Sequence, residues 1–226
     1  SHLANVLRRL RRICHFYGSN PTFICCSATI ANPEDLATRL AGEKFSIVDN
    51  DGSPRGERHF IFYNPGIVNA ELGIRRSAIN ETAELAKLFL GNDVQTIAFA
   101  RSRVNTELLL SKLQDDPNLR GRKIRGYRGG YLPSERRAIE EGLRDGDIRG
   151  VVATNALELG IDIGQLEAVL LCGYPGTISS TWQRFGRAGR RQESSVAIMV
   201  AESSPLNQYI VNHPSYFFEA PVESGL

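Results

Sequence analysis

Two arginines near the end of the chain have the residue type and the spacing needed to hold a phosphate group. Arg187 and Arg190 lie three residues apart in segment 183–191, where Gly186 and Gly189 alternate with them. Side chains at this spacing lie on the same side of a helical turn, and glycine lets the backbone approach a partner closely. A guanidinium group is permanently charged and matches the oxygen atoms of a phosphate. The segment therefore predicts either a phosphate site or a basic loop that pairs with carboxylates.

Further polar segments follow short apolar runs that are typical of buried strands. Segments 27–29, 101–103 and 154–155 each follow such a run, and the arginine segment lies downstream of the run that begins at Ala168. In open parallel sheets, ligands bind outside the carboxyl ends of the strands. We therefore expect all of these segments at the carboxyl ends of parallel strands.

Apolar runs alternate with amphipathic helical patterns through most of the chain. The runs at 96–100, 150–154 and 168–172 are continuously apolar, as expected of strands that are covered on both faces. Helical patterns separate them, and this alternation is typical of parallel sheets. The sequence predicts an α/β fold in which helices cover both faces of a parallel sheet.

The first fifty residues contain helix and strand patterns that end at a candidate linker. Apolar residues recur at three- and four-residue steps over 3–17, which predicts an amphipathic helix, and short apolar runs at 22–26 and 45–48 predict strands. Segment 49–56 contains acidic and amide residues, two glycines and a proline, which indicates a linker. The pattern divides the chain into three regions: 1–48, 49–57 and 58–226.

The composition excludes several classes of protein. With 226 residues, of which 42% are hydrophobic, the chain has enough apolar material for a core, so bulk disorder is excluded. The net charge is only +2, but the arginines cluster in short runs that can follow phosphates. The four cysteines form no C-x-x-C pair and are expected to be reduced and buried. This cysteine pattern predicts a cytoplasmic protein without a metal site. Because no apolar run reaches the roughly 18 residues of a membrane span, we also expect no membrane contact.

Four short motifs occur in the order that superfamily 2 helicases show. Segment 183–190 has the pattern Q-x-x-G-R-x-G-R and resembles motif VI. Segments 27–29, 96–103 and 153–162 resemble motifs III, IV and V. The specificity lies in the ordered set, which runs through nearly the whole chain. The resemblance implies that the fold is a RecA-like parallel sheet and that the chain contains the second motor lobe of a helicase.

The residues of two segments indicate which group of helicases the chain resembles. Segment 154–162, with Y-R-G-G-Y-L-P at 127–133, is similar to the bacterial YprA/MrfA group of DNA-repair helicases, to which the Lhr group is a near relative. The closing segments 204–209 and 213–218 also resemble that group. DEAD-box RNA helicases differ in motif V. The resemblance therefore implies single-stranded or partly duplex DNA as the partner, in preference to RNA.

Two patterns of the family do not occur in the chain. Neither the phosphate loop G-x-x-x-x-G-K-[ST] nor an Asp-Glu-x-His box is present, and the family carries both before motif III, on the first lobe. We therefore expect a piece of a longer protein, in which the first lobe acts in cis and binds ATP and Mg²⁺. In that interpretation 1–48 is the end of the first lobe, 49–57 is a linker and 58–226 is the second lobe. The isolated chain is expected to lack ATPase activity and to bind no cofactor.

The resemblance implies roles around the nucleotide. Arg190 resembles the arginine finger, and Arg187 resembles a second contact to the γ-phosphate. Gln183 corresponds to a residue that joins the nucleotide site to the other lobe. Gly160 and Asp162 resemble the motif V residues near the nucleotide, with Asp162 toward the ribose.

It also implies contacts to the nucleic-acid strand. Thr154 resembles the hydroxyl that holds a strand phosphate, and Arg101 or Ser102 resembles the strand contact of motif IV. Tyr127 and Arg128 are candidates for stacking or charge contacts with the strand. For Tyr127, a place in the core is an equally strong alternative.

Ser27 and Thr29 in motif III are expected to couple hydrolysis to movement of the strand.

Two alternatives to a motor lobe stay open from the sequence. The chain could be a binding module that holds nucleic acid or a partner and hydrolyses nothing, which the missing phosphate loop favours. A Rossmann-like enzyme is the weaker alternative, because no G-x-G-x-x-G follows a predicted strand.

Overall fold

The chain folds into two compact units. The computed structural model describes residues 1–27, 29–50, 52, 56–158, 161, 163–164, 166–189 and 194–225. The units are Ser1–Ser53 with Pro221–Leu226, and Pro54–Ala220. The boundary falls inside the segment where the sequence indicates a linker, but the assignment of the first unit to a first motor lobe stays a prediction.

The first unit contains two helices, α1 (His2–Phe16) and α2 (Pro33–Ala41). Arg11 joins them, because its guanidinium donates to the carbonyl of Ala41 at 2.9 Å and pairs with the Glu43 carboxylate at 2.6 Å. Both groups lie at the carboxyl end of α2, where a cation is favourable to the helix dipole. The helix predicted over 3–17 is confirmed.

The strands predicted at 22–26 and 45–48 are wrong for the described part of this unit. Both segments are without strand structure, and Cys25 and Cys26 are exposed rather than buried. A strand requires a neighbouring strand for its backbone amides and carbonyls, and none is present among the described residues of the unit. The end of the chain packs here instead, where the Asn32 side chain exchanges hydrogen bonds of 2.7 and 3.3 Å with the backbone of Gly225.

The second unit contains the remaining elements. In chain order they are β1 (Arg58–Tyr63), β2 (Ile67–Asn69), β3 (Ile74–Arg75), α3 (Ala78–Gly91), β4 (Thr96–Phe99), α4 (Arg103–Gln114), β5 (Ile124–Tyr127), α5 (Pro133–Arg144), β6 (Gly150–Ala153), β7 (Ala168–Cys172), α6 (Ile178–Phe185), β8 (Ser195–Val200), α7 (Pro205–Asn212) and α8 (Pro214–Glu219). Short 3₁₀ helices at Pro117–Leu119 and Asn155–Leu157 follow α4 and β6.

Six strands form one parallel sheet in the order β1-β8-β7-β4-β6-β5. The central strands β4, β6 and β7 are buried along their whole length, which is why their sequences are continuously apolar. The predicted α/β fold with a RecA-like parallel sheet is confirmed. Strands β2 and β3 form a separate antiparallel pair beside it, which the sequence pattern did not predict.

Helices cover both faces of the sheet. On one face, leucines of α3 and α4 such as Leu90 and Leu109 pack with Ala98 and Leu170 of the central strands. Side chains alternate between the faces of a strand, so the intervening residues point to the other face. There α6 and α8 pack on the sheet, and Phe99 lies beneath the guanidinium of Arg184.

A cluster of aromatic rings fixes α6 on this second face. Trp182 and Phe185 of α6 lie 5.1 and 5.4 Å, between ring centroids, from Phe60 of β1. Phe217 of α8 lies 5.3 Å from Trp182 and 5.1 Å from Phe62. Aromatic pairs at these separations add to the stabilisation that burial provides. The cluster therefore sets the position of α6, and with it the start of the arginine segment.

Replacement of Phe217 by alanine should lower the free energy of unfolding by about 3–5 kcal/mol, because it removes a fully buried ring. Phe218→Ala is the matched control, since the neighbouring ring is 46% exposed and should contribute much less. Urea unfolding followed by the fluorescence of Trp182, the single tryptophan, measures both. Equal losses in the two variants would contradict the role of the cluster.

Candidate functional site

Three of the predicted strand contacts lie where β4 and β6 end. These strands are neighbours, with Phe99 opposite Ala153 at their last residues. Arg101 and Ser102 follow β4, and Thr154 follows β6 directly. The structure therefore brings the motif IV and motif V residues together at the carboxyl edge of the sheet, as the sequence predicted.

Thr154 is a buried residue that caps the 3₁₀ helix after β6. Its hydroxyl oxygen accepts a hydrogen bond from the amide of Ala156 at 3.5 Å, and its own amide donates to the carbonyl of Tyr127 at 3.2 Å. A hydroxyl that accepts from a backbone amide can still donate its proton. Thr154 is thus held in one place with a donor that can serve a phosphate oxygen.

Arg101 is oriented by an acidic residue that the sequence reasoning missed. Its guanidinium pairs with the carboxylate of Glu202, which follows β8, at 2.8 Å. The Glu202 side chain passes over Gly173 at the end of β7, where a Cβ atom would lie only 2.9 Å from the carboxylate carbon. Gly173 also has a φ of 85°, which glycine adopts without strain. Glycine at this position therefore keeps the path from β8 to Arg101 open.

Asn207 of α7 ties the same edge together. Its side-chain oxygen accepts from the amides of Tyr174 at 2.8 Å and Glu202 at 3.2 Å, and its amide group donates to the Ser204 hydroxyl at 2.7 Å. A buried side chain that satisfies three partners fixes the loops after β7 and β8 relative to each other. The resemblance of segment 204–209 to the YprA/MrfA group implies no role for Asn207.

Tyr127 lies in the core rather than on the surface. Its ring is fully buried at the end of β5, and its hydroxyl donates to the Glu140 carboxylate at 2.6 Å. Burial, together with the hydrogen bond to Glu140, raises the pKa of Tyr127 to about 12. A ring without exposed surface offers no face to a base, so the expected stacking contact is corrected to the alternative of a core tyrosine.

Arg128, the next residue, remains at the carboxyl edge. Its guanidinium pairs with the Glu107 carboxylate at 2.7 Å and lies 5.2 Å from the centre of the Tyr131 ring. Like any arginine side chain, Arg128 is permanently charged, and the hydrogen bond with Glu107 raises its pKa further. Arg128 is therefore a positioned cation beside Thr154, since β5 and β6 are adjacent strands.

The described end of the arginine segment, residues 187–189, lies near the amino ends of the strands, so the expectation of the carboxyl edge was wrong for these residues. The carbonyl of Arg187 accepts from the amide of Leu166 at 2.9 Å, and the amide of Gly189 donates to the carbonyl of Leu166 at 2.9 Å. Leu166 precedes the first residue of β7. The guanidinium of Arg58, at the start of β1, lies against Gly189. A crossover helix runs back along the sheet, so the residues after α6 reach the amino ends of the strands.

Arg187 contacts the backbone of the motif V segment. Its two terminal nitrogen atoms donate to the carbonyls of Ile161 at 2.7 Å and Glu158 at 3.0 Å. Gln183, one turn earlier on α6, donates to the hydroxyl of Ser179 at 3.3 Å. Motifs V and VI are therefore in direct contact, and Arg187 makes that contact.

Arg184 and Glu158 form an ion pair that the sequence reasoning missed. The Arg184 guanidinium lies 2.8 Å from the Glu158 carboxylate, and the two side chains are only 9% and 14% exposed. The guanidinium also lies 5.3 Å from the centre of the Phe99 ring. The available signal was a pair of opposite charges, one in each motif, but only the fold shows that they meet.

Five further predicted residues lie either outside the described residues or in the first unit. Arg190, Gly160 and Asp162 lie outside the described residues. Ser27 is exposed and Thr29 is half-buried in the first unit. The roles implied for all five stay predictions.

The described residues contain no group of three or more histidine, cysteine, aspartate or glutamate side chains that could hold a metal ion. Within the same residues, no helix combines the length and the apolar character needed to cross a membrane.

The position of Tyr127 predicts a specific dependence of stability on pH. Because its pKa is raised from 10.0 to about 12, folding favours the neutral phenol. Its contribution should be complete below pH 10 and should be lost as the pH rises toward about 12. Urea unfolding at several pH values should show this loss in the unchanged chain and a smaller loss in Tyr127→Phe. Tyr131→Phe is the control, and an identical pH dependence in the unchanged chain and Tyr127→Phe would contradict the assignment.

Comparison with known proteins gives consistent matches. The family described as the helicase conserved C-terminal domain matches residues 80–192. The ATP-dependent helicase YprA of Bacillus subtilis (strain 168) is 61% identical over 227 residues, which cover 100% of this chain and 30% of that protein.

Two crystal structures of the DUF1998 helicase MrfA also match. One, bound to DNA, has a TM-score of 0.97 and 61% identity, and covers 99% of this chain and 30% of that chain. The other, bound to DNA and AMPPNP, has a TM-score of 0.94 and 60% identity, and covers 99% and 31%. The chain thus spans less than a third of the length of these relatives. It belongs to the helicase conserved C-terminal domain family, as the C-terminal RecA-like lobe of a superfamily 2 helicase.

Proposed function

We propose that the chain is part of an ATP-dependent DNA helicase, to which it supplies arginines for ATP hydrolysis and one part of the DNA-strand track. The observation that carries the proposal is the direct contact between motifs V and VI through Arg187. The predicted strand contacts lie at the other edge of the same sheet. One rigid body therefore presents a nucleotide-facing segment and a strand-facing edge.

At the nucleotide, the longer protein would bind ATP and Mg²⁺ on its first lobe, next to this one. Arg190 and Arg187 would contact the γ-phosphate, and Gln183 would join the site to the first lobe. Gly160 and Asp162 would lie near the nucleotide. Guanidinium groups stabilise the negative charge that develops on the transferred phosphoryl oxygens. The name of YprA as an ATP-dependent helicase and the AMPPNP bound to MrfA support this assignment.

At the carboxyl edge, the track would bind the phosphates of single-stranded DNA. Thr154 offers a fixed hydroxyl, Arg101 and Arg128 offer oriented cations, and Ser102 caps the amino end of α4. The amino end of a helix attracts anions through its free amide groups. Tyr127 is not included, because its ring is buried. The structures of MrfA bound to DNA support DNA as the ligand.

The first unit would be the end of the first lobe, with segment 49–57 as the linker. Ser27 and Thr29 would couple hydrolysis to movement of the strand. ATP would draw the two lobes together, and loss of the γ-phosphate would release the arginines and let this lobe shift along the DNA. The motif resemblance to the YprA/MrfA group implies a place in DNA repair, and we propose a cytoplasmic protein.

Arg190→Ala in the whole protein should lower DNA-stimulated ATP turnover by about 10³–10⁵-fold, the range for loss of an arginine finger. Binding of a fluorescent ATP analogue should remain, because the phosphate loop and the metal ligands lie on the first lobe. Arg191→Ala is the control, since the motif VI pattern ends at Arg190. Near-normal ATP turnover in Arg190→Ala would contradict the proposal that Arg190 is the arginine finger.

The isolated chain should hydrolyse no ATP and should bind single-stranded DNA weakly. If Arg101 and Arg128 each neutralise one phosphate, the logarithm of the binding constant should fall with that of salt concentration with a slope of about −1.4. Fluorescence anisotropy at several salt concentrations measures this slope. Arg101→Ala should halve it, while Arg120→Ala, an exposed arginine near the amino end of β5, should leave it unchanged. Robust ATP hydrolysis by the pure chain, or equal effects of the two variants, would contradict the proposal.

A further inference from the structure

We infer that Glu158 and Arg184 are positioning residues, and that their ion pair holds Arg187 in the place from which it serves the nucleotide. Nothing in the motif resemblance gives either residue a role. The inference rests on the proposed function, because Arg187 needs a position only if it has a ligand to meet.

Glu158 contacts two arginines: Arg184, which lies in α6, and Arg187, which follows the end of α6. Its carboxylate accepts from Arg184 at 2.8 and 2.9 Å, and its backbone carbonyl accepts from Arg187 at 3.0 Å. Arg187 also donates to the carbonyl of Ile161 at 2.7 Å. One residue of motif V therefore orients both guanidinium groups, one through its side chain and one through its main chain.

The surroundings make the Arg184–Glu158 pair rigid. Both side chains are largely buried, and the flat guanidinium lies over the Phe99 ring at the end of β4. Loss of one partner from a buried pair leaves the other charge without compensation. The backbone around Glu158 must then shift to bring water or another group to that charge. Such a shift moves the carbonyl on which Arg187 depends.

The turn 154–158 connects the Arg184–Glu158 pair to the proposed DNA track. Thr154 caps the 3₁₀ helix Asn155–Leu157, and Glu158 is the residue that ends it. Only one short helical turn separates the hydroxyl that would hold a DNA phosphate from the carbonyl that orients Arg187. Displacement of Thr154 by a bound strand would therefore reach Arg187 through Glu158, which gives DNA a physical route to stimulate hydrolysis.

Glu158→Gln in the whole protein is the direct test, since it removes the charge and keeps the shape of the side chain. DNA-stimulated kcat should fall by about 10- to 100-fold, the effect of a small misplacement at a reacting group. The KM for ATP and the Kd for single-stranded DNA should change by less than about twofold, because the groups that bind both ligands remain. Arg184→Met is the second variant, with the same expected result if Glu158→Gln fails to fold.

A double variant separates positioning from a general structural role. If Glu158 acts through Arg187, the kcat of Glu158→Gln/Arg187→Ala should equal that of Arg187→Ala alone within about twofold. Asp116→Asn is the matched control. It removes a charge from another partly buried pair, in which Lys87 lies 3.1 Å from Asp116, and it should leave kcat unchanged.

Three results would overturn the inference: an unchanged kcat in Glu158→Gln and Arg184→Met, a loss in the double variant equal to the product of the single losses, or the same loss in Asp116→Asn. Failure of the proposed function is distinguishable from these, because it appears as normal turnover in Arg190→Ala. A large loss in Arg190→Ala with a normal Glu158→Gln would leave the helicase assignment intact and remove only the positioning role.

Discussion

The contact between the end of α6 and the turn after β6 is the interaction on which the rest of the site depends. Arg184 and Arg187 reach that turn from consecutive turns of chain and meet the same residue, Glu158. The aromatic cluster around Trp182 packs α6 on the sheet and so helps to place both arginines within reach of that turn. The aromatic cluster, the buried Arg184–Glu158 pair and Arg187, which we propose to contact the nucleotide, are thus connected through direct contacts.

The two proposed ligand sites of this lobe involve opposite ends of the strands and are joined by one short turn of chain. Thr154, Arg101 and Arg128 stand at the carboxyl ends of the strands, whereas Arg187 lies beside the residues that precede β7. The central strands are buried and close-packed, so the lobe between the edges should move as a rigid body. In the proposed mechanism a signal between the two sites passes along the turn 154–158 and not through the sheet.

The sequence predicted the fold well, since continuously apolar strands alternating with helices allow few other arrangements. It also predicted that the residues after β4 and β6 meet, because neighbouring parallel strands end at one edge. The predicted location of the arginine segment at the carboxyl edge was wrong. The rule that ligands bind at strand ends does not apply to a segment that follows a crossover helix. The Glu158–Arg184 and Arg101–Glu202 pairs were missed, since their partners lie 26 and 101 residues apart in the chain. Tyr127 was ambiguous because strand ends can face either the core or the solvent.

A structure of the whole protein with single-stranded DNA and an ATP analogue tests the central claim most directly. The measurement is the distance from the guanidinium nitrogens of Arg187 and Arg190 to the γ-phosphate oxygens. We predict about 2.7–3.1 Å for at least one nitrogen of each arginine, with a DNA phosphate at Thr154 on the opposite edge of the sheet. A nucleotide bound beside Thr154, with both guanidinium groups out of hydrogen-bond reach of its γ-phosphate, would contradict the account.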